Sequence, residues 1–274
     1  MTTAQGVPGP LSGSTRVYAI VGDPIAQVAS PRLFNTAFRE RCADAVLVPL
    51  QVAPDALRGV IDSFRAIRNF DGLVVTVPHK IAATEWVDEL GPQARLTGAL
   101  NTIRKTGDGR LTGENFDGEG FIRGLASRGQ TPTGRRVLVI GTGGAGCAVA
   151  HAIAVAGADA IGLFDIDARR CRSLVDGIQA HRPSLDVFEA KPDARGFDMI
   201  VNCTSIGMRS GDPLPLDITH LAGDALVADI ILKPVMTPLL LAARERGCTI
   251  HQGPAMLEGQ IDAVLDFFAV HAQP

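Results

Sequence analysis

The feature that most constrains how this chain folds is a glycine loop in mid-sequence. Gly141-Thr142-Gly143-Gly144-Ala145-Gly146 directly follows the apolar run Arg136-Val137-Leu138-Val139-Ile140. A strand that feeds a glycine turn opening a helix leaves backbone N–H groups and a positive helix end where a pyrophosphate can sit. Because the loop comes this late, most of the chain before residue 130 has to form a second body. With 274 residues and 46% hydrophobic content, two domains with separate cores are expected.

The residues around the loop narrow the ligand. A small-residue helix follows, and a second strand-like run, Ala160 to Phe164, ends in Asp165, about twenty positions on. A carboxylate there accepts hydrogen bonds from adenosine ribose hydroxyls and repels a 2′-phosphate. The neighbour Ile166 offers no guanidinium to cancel that repulsion, although Arg169 and Arg170 lie close downstream. The cofactor expected is therefore NAD; the other reading of Asp165 is an N-cap for the next helix. Asn202-Cys203-Thr204-Ser205-Ile206-Gly207-Met208 follows a later strand, where open α/β sheets bind ligands.

The first half alternates strand-like and helix-like runs, which implies a mainly parallel sheet. Strands are expected at Val17–Val21, Val46–Val52 and Gly72–Val77, and helices from the Ser30-Pro31 cap to Cys42 and over Pro54–Arg68. Two short strands flank Gly107-Asp108-Gly109. The second half is more regular, with strands at 160–164, 198–202 and 225–231 and helices near 146–156, 168–180 and 238–246, before a helix-rich end from Gly253.

Only four lysines stand against 22 arginines, and Lys80 closes the block Gly72-Leu73-Val74-Val75-Thr76-Val77-Pro78-His79-Lys80, read as a strand running into a helix. An ammonium can donate to a carbonyl oxygen and give up its proton, which a guanidinium cannot readily do. With Asn101 and Asp117, Lys80 forms a donor and acceptor set suited to a polyhydroxylated ligand. Each of the three also has an ordinary reading as a surface, turn or cap residue.

A net charge of −3 argues against nucleic acid and anionic membranes as partners. Met1 to Thr15 reads as a flexible tail without the apolar core of a signal peptide. Five cysteines without a CxxC pair and six histidines without ligand spacing indicate no metal, and a cytoplasmic location is expected.

In serial order the chain resembles the shikimate dehydrogenase family. The matching segments are Gly22-Asp23-Pro24-Ile25, Ser30-Pro31, Asn35, Val75 to Lys80, Gly98-Ala99-Leu100-Asn101-Thr102 and Asn115-Phe116-Asp117-Gly118-Glu119-Gly120-Phe121. They continue with the glycine loop, Asn202 to Met208, Asp229 with Pro234, Thr237-Pro238 and Gly253 to Gln260. The resemblance implies an α/β protein of two domains with a cleft between them. A mainly parallel substrate domain, 16–118, would be completed by 253–274, and a doubly wound Rossmann domain would span 119–252. It implies Lys80 and Asp117 as the catalytic pair and Ser30, Thr76, Asn101 and Gln260 as substrate contacts. Gly141, Gly143, Gly144, Ala145, Gly146, Asp165, Thr204, Ser205, Gly207, Met208 and Gly253 would hold the nucleotide. The reaction implied is reversible hydride transfer between NAD and a ring alcohol or ketone, and a homodimer is compatible with the resemblance.

Departures from the family pattern fall mainly on the substrate side. Gln27 and Val28 stand where the family usually has His and Ser, Phe34 replaces a histidine, Val74 an asparagine and Leu232 a tyrosine. These changes point to an NAD-dependent paralogue acting weakly on shikimate, on quinate or on a related cyclic hydroxy acid. Two alternatives stay open: an enzyme like methylenetetrahydrofolate dehydrogenase, and a non-catalytic module that senses a metabolite.

Overall fold

The computed structural model describes residues 11–271, so most of the expected tail lies outside the described residues. At the end of the expected tail the Ser14 and Thr15 hydroxyls donate to the two Asp44 carboxylate oxygens, each at 2.7 Å, so these two residues are tied to the fold. The chain divides into two compact units, one reaching to Phe116 and resuming at Gln260, the other Asp117–Gly259. The expectation for 253–274 thus differs over Gly253–Gly259, which group with the second unit.

The first unit contains β1 (Arg16–Gly22), α1 (Ser30–Glu40), β2 (Ala45–Gln51), α2 (Leu57–Ala66), β3 (Phe70–Val75), β4 (Glu89–Leu90), α3 (Pro92–Thr97), β5 (Thr102–Lys105) and β6 (Leu111–Glu114). Its sheet order is β2-β1-β3-β5-β6-β4. β1 pairs in parallel with β2 and β3, and β5 is antiparallel to both β3 and β6. The chain winds outward from β1 to β2 and then returns to its other side as β3. That reversal puts a topological switch point at the carboxyl ends of β1 and β3.

Local details depart from the sequence reading. Ser30 is the first residue of α1 rather than its cap; Ala29 holds that position without a side-chain hydrogen bond. The expected helix over Pro54–Arg68 starts with a 3-10 turn, Pro54–Ala56. Lys80 precedes a 3-10 helix, Ala82–Trp86, and not an α-helix.

The second unit comprises α4 (Asp117–Ala126), β7 (Arg136–Ile140), α5 (Gly144–Val155), β8 (Ala160–Phe164), α6 (Ala168–His181), β9 (Asp186–Glu189), β10 (Met199–Asn202), β11 (Leu226–Asp229), α7 (Pro238–Glu245) and β12 (Thr249–His251). The last helix, α8 (Pro254–Phe267), starts in this unit's residues and ends in those of the first. All pairs in the order β12-β11-β10-β7-β8-β9 are parallel. Val137 and Val139 enter one core cluster while Leu138 and Ile140 enter another on the opposite face. Burial of both faces explains why β7 reads as an unbroken apolar run. The switch point lies between β7 and β10, so the glycine loop and the Asn202–Met208 segment leave the sheet side by side.

Candidate active site

The nucleotide-type site is built at that second switch point. Gly141 adopts φ +93, a left-handed conformation that favours glycine, and its N–H donates to Phe164 O at 2.8 Å. A Cβ on Gly146 would fall 1.9 Å from Gly141 O, so α5 can start against the loop only with glycine there. Gly143 caps α5, and a Cβ there would meet nothing within 4 Å. With Gly144 and Ala145 it is only partly covered, and the first N–H groups of a helix have no partner within it. This cradle fits a pyrophosphate.

Asp165 stands beside the loop with its side chain 7% exposed. Its Oδ2 accepts from Thr142 N at 2.7 Å and Thr142 Oγ1 at 2.9 Å, and its Oδ1 from Asp167 N at 2.9 Å. Burial opposes ionisation, but the hydrogen bonds and Arg170 together hold its pKa below the ordinary value. The cap of α6 is Asp167, which accepts from Arg169 N and Arg170 N, so Asp165 is not the helix cap. Next to it Ile166 is 96% exposed, an apolar side chain with no protein surface to cover it.

On the β10 side, Asn202 is fully buried and organises the loop. Its Oδ1 accepts from Thr204 N and Thr204 Oγ1, and its Nδ2 donates to Ile206 O and Asp229 Oδ2. Thr204 therefore shapes the segment, while Ser205 and Met208 are exposed on it and Gly207 turns it at φ +109. Asp229 also accepts from Thr237 Oγ1 at 2.7 Å and Ile231 N at 3.0 Å, yet burial raises its pKa. A Cβ on Gly253 would lie 2.2 Å from Ile231 O, which explains that glycine by backbone packing.

Of the other expected residues, Ser30, Thr76, Lys80, Asn101 and Gln260 belong to the first unit and Asp117 opens the second. Thr76 follows β3, with its N–H bonded to Val21 O, and Lys80 lies in the turn beyond, its carbonyl accepting from Leu100 N at 2.9 Å. His79 is buried and its Nε2 lies 2.7 Å from Val52 O, which pins this turn to the end of β2. Ser30 is buried at the start of α1. Asn101 is buried with Oδ1 accepting from Thr102 Oγ1 and Phe116 N, and its Nδ2 donates to Gln260 Oε1 at 2.8 Å. Asp117, the first residue of α4, is 2% exposed; it and Asp229 add to the burial that drives the Cys203 thiol far up from its ordinary pKa.

Of the altered positions, Phe34 and Val74 belong to a core cluster with Tyr18, Phe38, Phe116 and Phe268. Phe34 is thus a packing residue rather than a lost ligand contact. Sequence reasoning also missed Thr142 and Thr102, the hydroxyls that orient Asp165 and Asn101. The only signal was their place, one inside the glycine loop and the other next to Asn101.

Residues 20–103 match the family model described as the shikimate dehydrogenase substrate binding domain. A shikimate dehydrogenase (NADP(+)) of Geobacter metallireducens is 37% identical over 263 residues, covering 93% of this chain and 91% of the relative. The chain belongs to the shikimate dehydrogenase family. Two solved structures extend the shikimate dehydrogenase likeness to the fold. The Listeria monocytogenes shikimate 5-dehydrogenase, in complex with shikimate and NAD, is 27% identical with TM-score 0.84, over 98% of this chain and 96% of that one. The quinate dehydrogenase of Corynebacterium glutamicum, in complex with NAD, is 26% identical with TM-score 0.80, over 94% and 95%. As a member of this family the chain is an α/β oxidoreductase that transfers hydride with a pyridine nucleotide. No described helix is long and apolar enough to cross a membrane.

Proposed function

We propose that this enzyme is an NAD-preferring dehydrogenase acting on shikimate, quinate or a related cyclic hydroxy acid in the cytoplasm. The observation that carries the cofactor is Asp165, a nearly buried carboxylate held ionised beside the glycine loop, where a 2′-phosphate would bring like charge. Gly141, Gly143, Gly144, Ala145 and Gly146 hold the pyrophosphate, and Thr204, Ser205, Gly207, Met208 and Gly253 form the far wall.

Ser30, Thr76, Asn101 and Gln260 contact the substrate. The bound nicotinamide supplies the hydride acceptor. Lys80 takes the alcohol proton during oxidation and returns it to the carbonyl oxygen during reduction, and Asp117 orients it. Help of this kind is worth about 10²–10⁴-fold in rate. The apolar Val28 in place of a serine supports a substrate range shifted away from shikimate.

Initial rates with shikimate, quinate and aminoshikimate, each with NAD and NADP, test the reading. The expected result is turnover of at least one acid with kcat/KM favouring NAD by at least about tenfold, which uses only part of the several kcal/mol that a desolvated like-charge contact costs. A preference for NADP overturns the cofactor assignment, and no reduced nucleotide from any of the three acids overturns the substrate class.

A further inference from the structure

Asp165 is built into the loop it was expected merely to accompany, and the residue that builds it in is Thr142. An ionised carboxylate offers about four lone-pair sites. Two on Oδ2 are filled by the N–H and hydroxyl of Thr142, and one on Oδ1 by Asp167 N–H. One acceptor site remains, on Oδ1. Thr142 is itself 3% exposed, so its hydroxyl has no exchange with water to compete for that bond. Arg170 cannot substitute: its nitrogens stand 4.0 Å from Asp165 and 3.8 Å from Asp167, half-exposed and beyond hydrogen-bond reach. Arg169, almost fully exposed, faces Asp167 at 3.9 Å.

We infer that Thr142 is a positioning residue that sets nucleotide selectivity by fixing the Asp165 carboxylate through its hydroxyl. A carboxylate held from both oxygens cannot rotate away from an incoming 2′-phosphate without breaking charge-assisted hydrogen bonds. The same fixation aims its last free site at a single ribose hydroxyl. Loss of the Thr142 hydroxyl leaves only one backbone N–H on each carboxylate oxygen, so the carboxylate is held less firmly against turning, which weakens NAD and eases the repulsion of NADP. The inference rests on the assignment of NAD as the preferred cofactor.

The test is equilibrium fluorescence titration of NADH and NADPH with the wild type, Thr142→Val and Thr142→Ser, alongside KM and kcat for both oxidised nucleotides. In Thr142→Val, NADH affinity falls about tenfold, the size of one hydrogen bond to a charged group, while NADPH affinity holds or rises. The kinetic change falls on nucleotide KM more than on kcat, and Thr142→Ser keeps the wild-type ratio. An unchanged NADH to NADPH ratio in Thr142→Val overturns the inference. So does equal weakening of both nucleotides, which marks damage to the loop. Thr142→Ala provides the same comparison if valine disturbs folding. The wild-type ratio alone judges the NAD assignment, whereas the change between wild type and variant judges Thr142.

Discussion

Asn101 donates its side-chain amide to Gln260 Oε1 at 2.8 Å across 159 positions of sequence. The direction of this bond is imposed from behind, because Asn101 Oδ1 already accepts from Thr102 Oγ1 and Phe116 N. Gln260 is thereby fixed with its oxygen inward, and its Nε2 donates to no described residue. Gln260 therefore offers a donor to whatever binds beside it.

The first prediction follows from that polarity. Gln260→Glu replaces the donor with an acceptor and is expected to raise substrate KM by about tenfold, as for one hydrogen bond, with nucleotide affinity kept. Thr102→Val is expected to act in the same direction, less strongly, by freeing the Asn101 amide to flip. Substrate KM equal to wild type in both variants would remove the amide pair from recognition.

For the proposed catalytic pair, Lys80→Ala and Asp117→Ala are each expected to lower kcat by about 10²–10⁴-fold, the usual worth of positioned acid–base help. NADH binding, followed by fluorescence titration, should stay close to wild type for Lys80→Ala, which lies in the first unit and outside the glycine loop. Turnover within a few-fold of wild type would exclude Lys80 from proton transfer.

Two glycines of one loop should respond oppositely to a single methyl group. Gly143 has φ −68, ordinary for alanine, and open space at its Cβ. Gly143→Ala is therefore expected to change stability by less than about 0.5 kcal/mol while weakening NADH binding about tenfold, because the methyl fills the anion cradle. Gly146→Ala places its methyl 1.9 Å from Gly141 O and should destabilise the fold by about 1–3 kcal/mol or more. Thermal melting and NADH titration of both variants distinguish the two effects; wild-type affinity in Gly143→Ala would move the pyrophosphate elsewhere.

Acid sensitivity is expected from two buried histidines of the second unit. Burial lowers the pKa of His151 to about 4, with His181 adding to the effect, and that of His251 to about 4, with Arg128 adding. Both are neutral when folded, whereas the unfolded chain binds their protons from about pH 6.5 downward. Stability contributed by the neutral rings is thus complete above 6.5 and declines as pH falls toward 4, by roughly 2 kcal/mol per histidine between pH 7 and 5. Carboxylates held low, such as Asp88 beside Arg65, begin to matter only nearer 3.8. Urea unfolding of wild type and His151→Leu at pH 7 and 5 checks this; equal pH slopes in the two proteins would contradict it.

How much of this was legible in the sequence differs from element to element. β7 and its glycine loop were plain, because burial on both faces writes an unbroken apolar run and the turn demands glycine. α4 was not, since its glycines weaken the helical pattern. They are there for close packing: a Cβ on Gly118 would lie 2.5 Å from Ala148 O, and one on Gly124 2.7 Å from Ala255 O. β4 and β12 have two and three residues, too short to show periodicity. The candidates Lys80, Asn101 and Asp165 could be proposed from strand ends and spacing. Their supporting hydroxyls, Thr102 and Thr142, could not, because an orienting threonine has the same local signature as an ordinary one.

The bonds among Asn202, Asp229 and Thr237 join three segments of the second unit, the end of β10, the end of β11 and the start of α7, through one buried carboxylate. A ligand arriving there meets a surface whose shape is already set. Its binding should be rapid and carry little ordering entropy, so that the heat of association reports the contacts themselves and not the settling of loops around them.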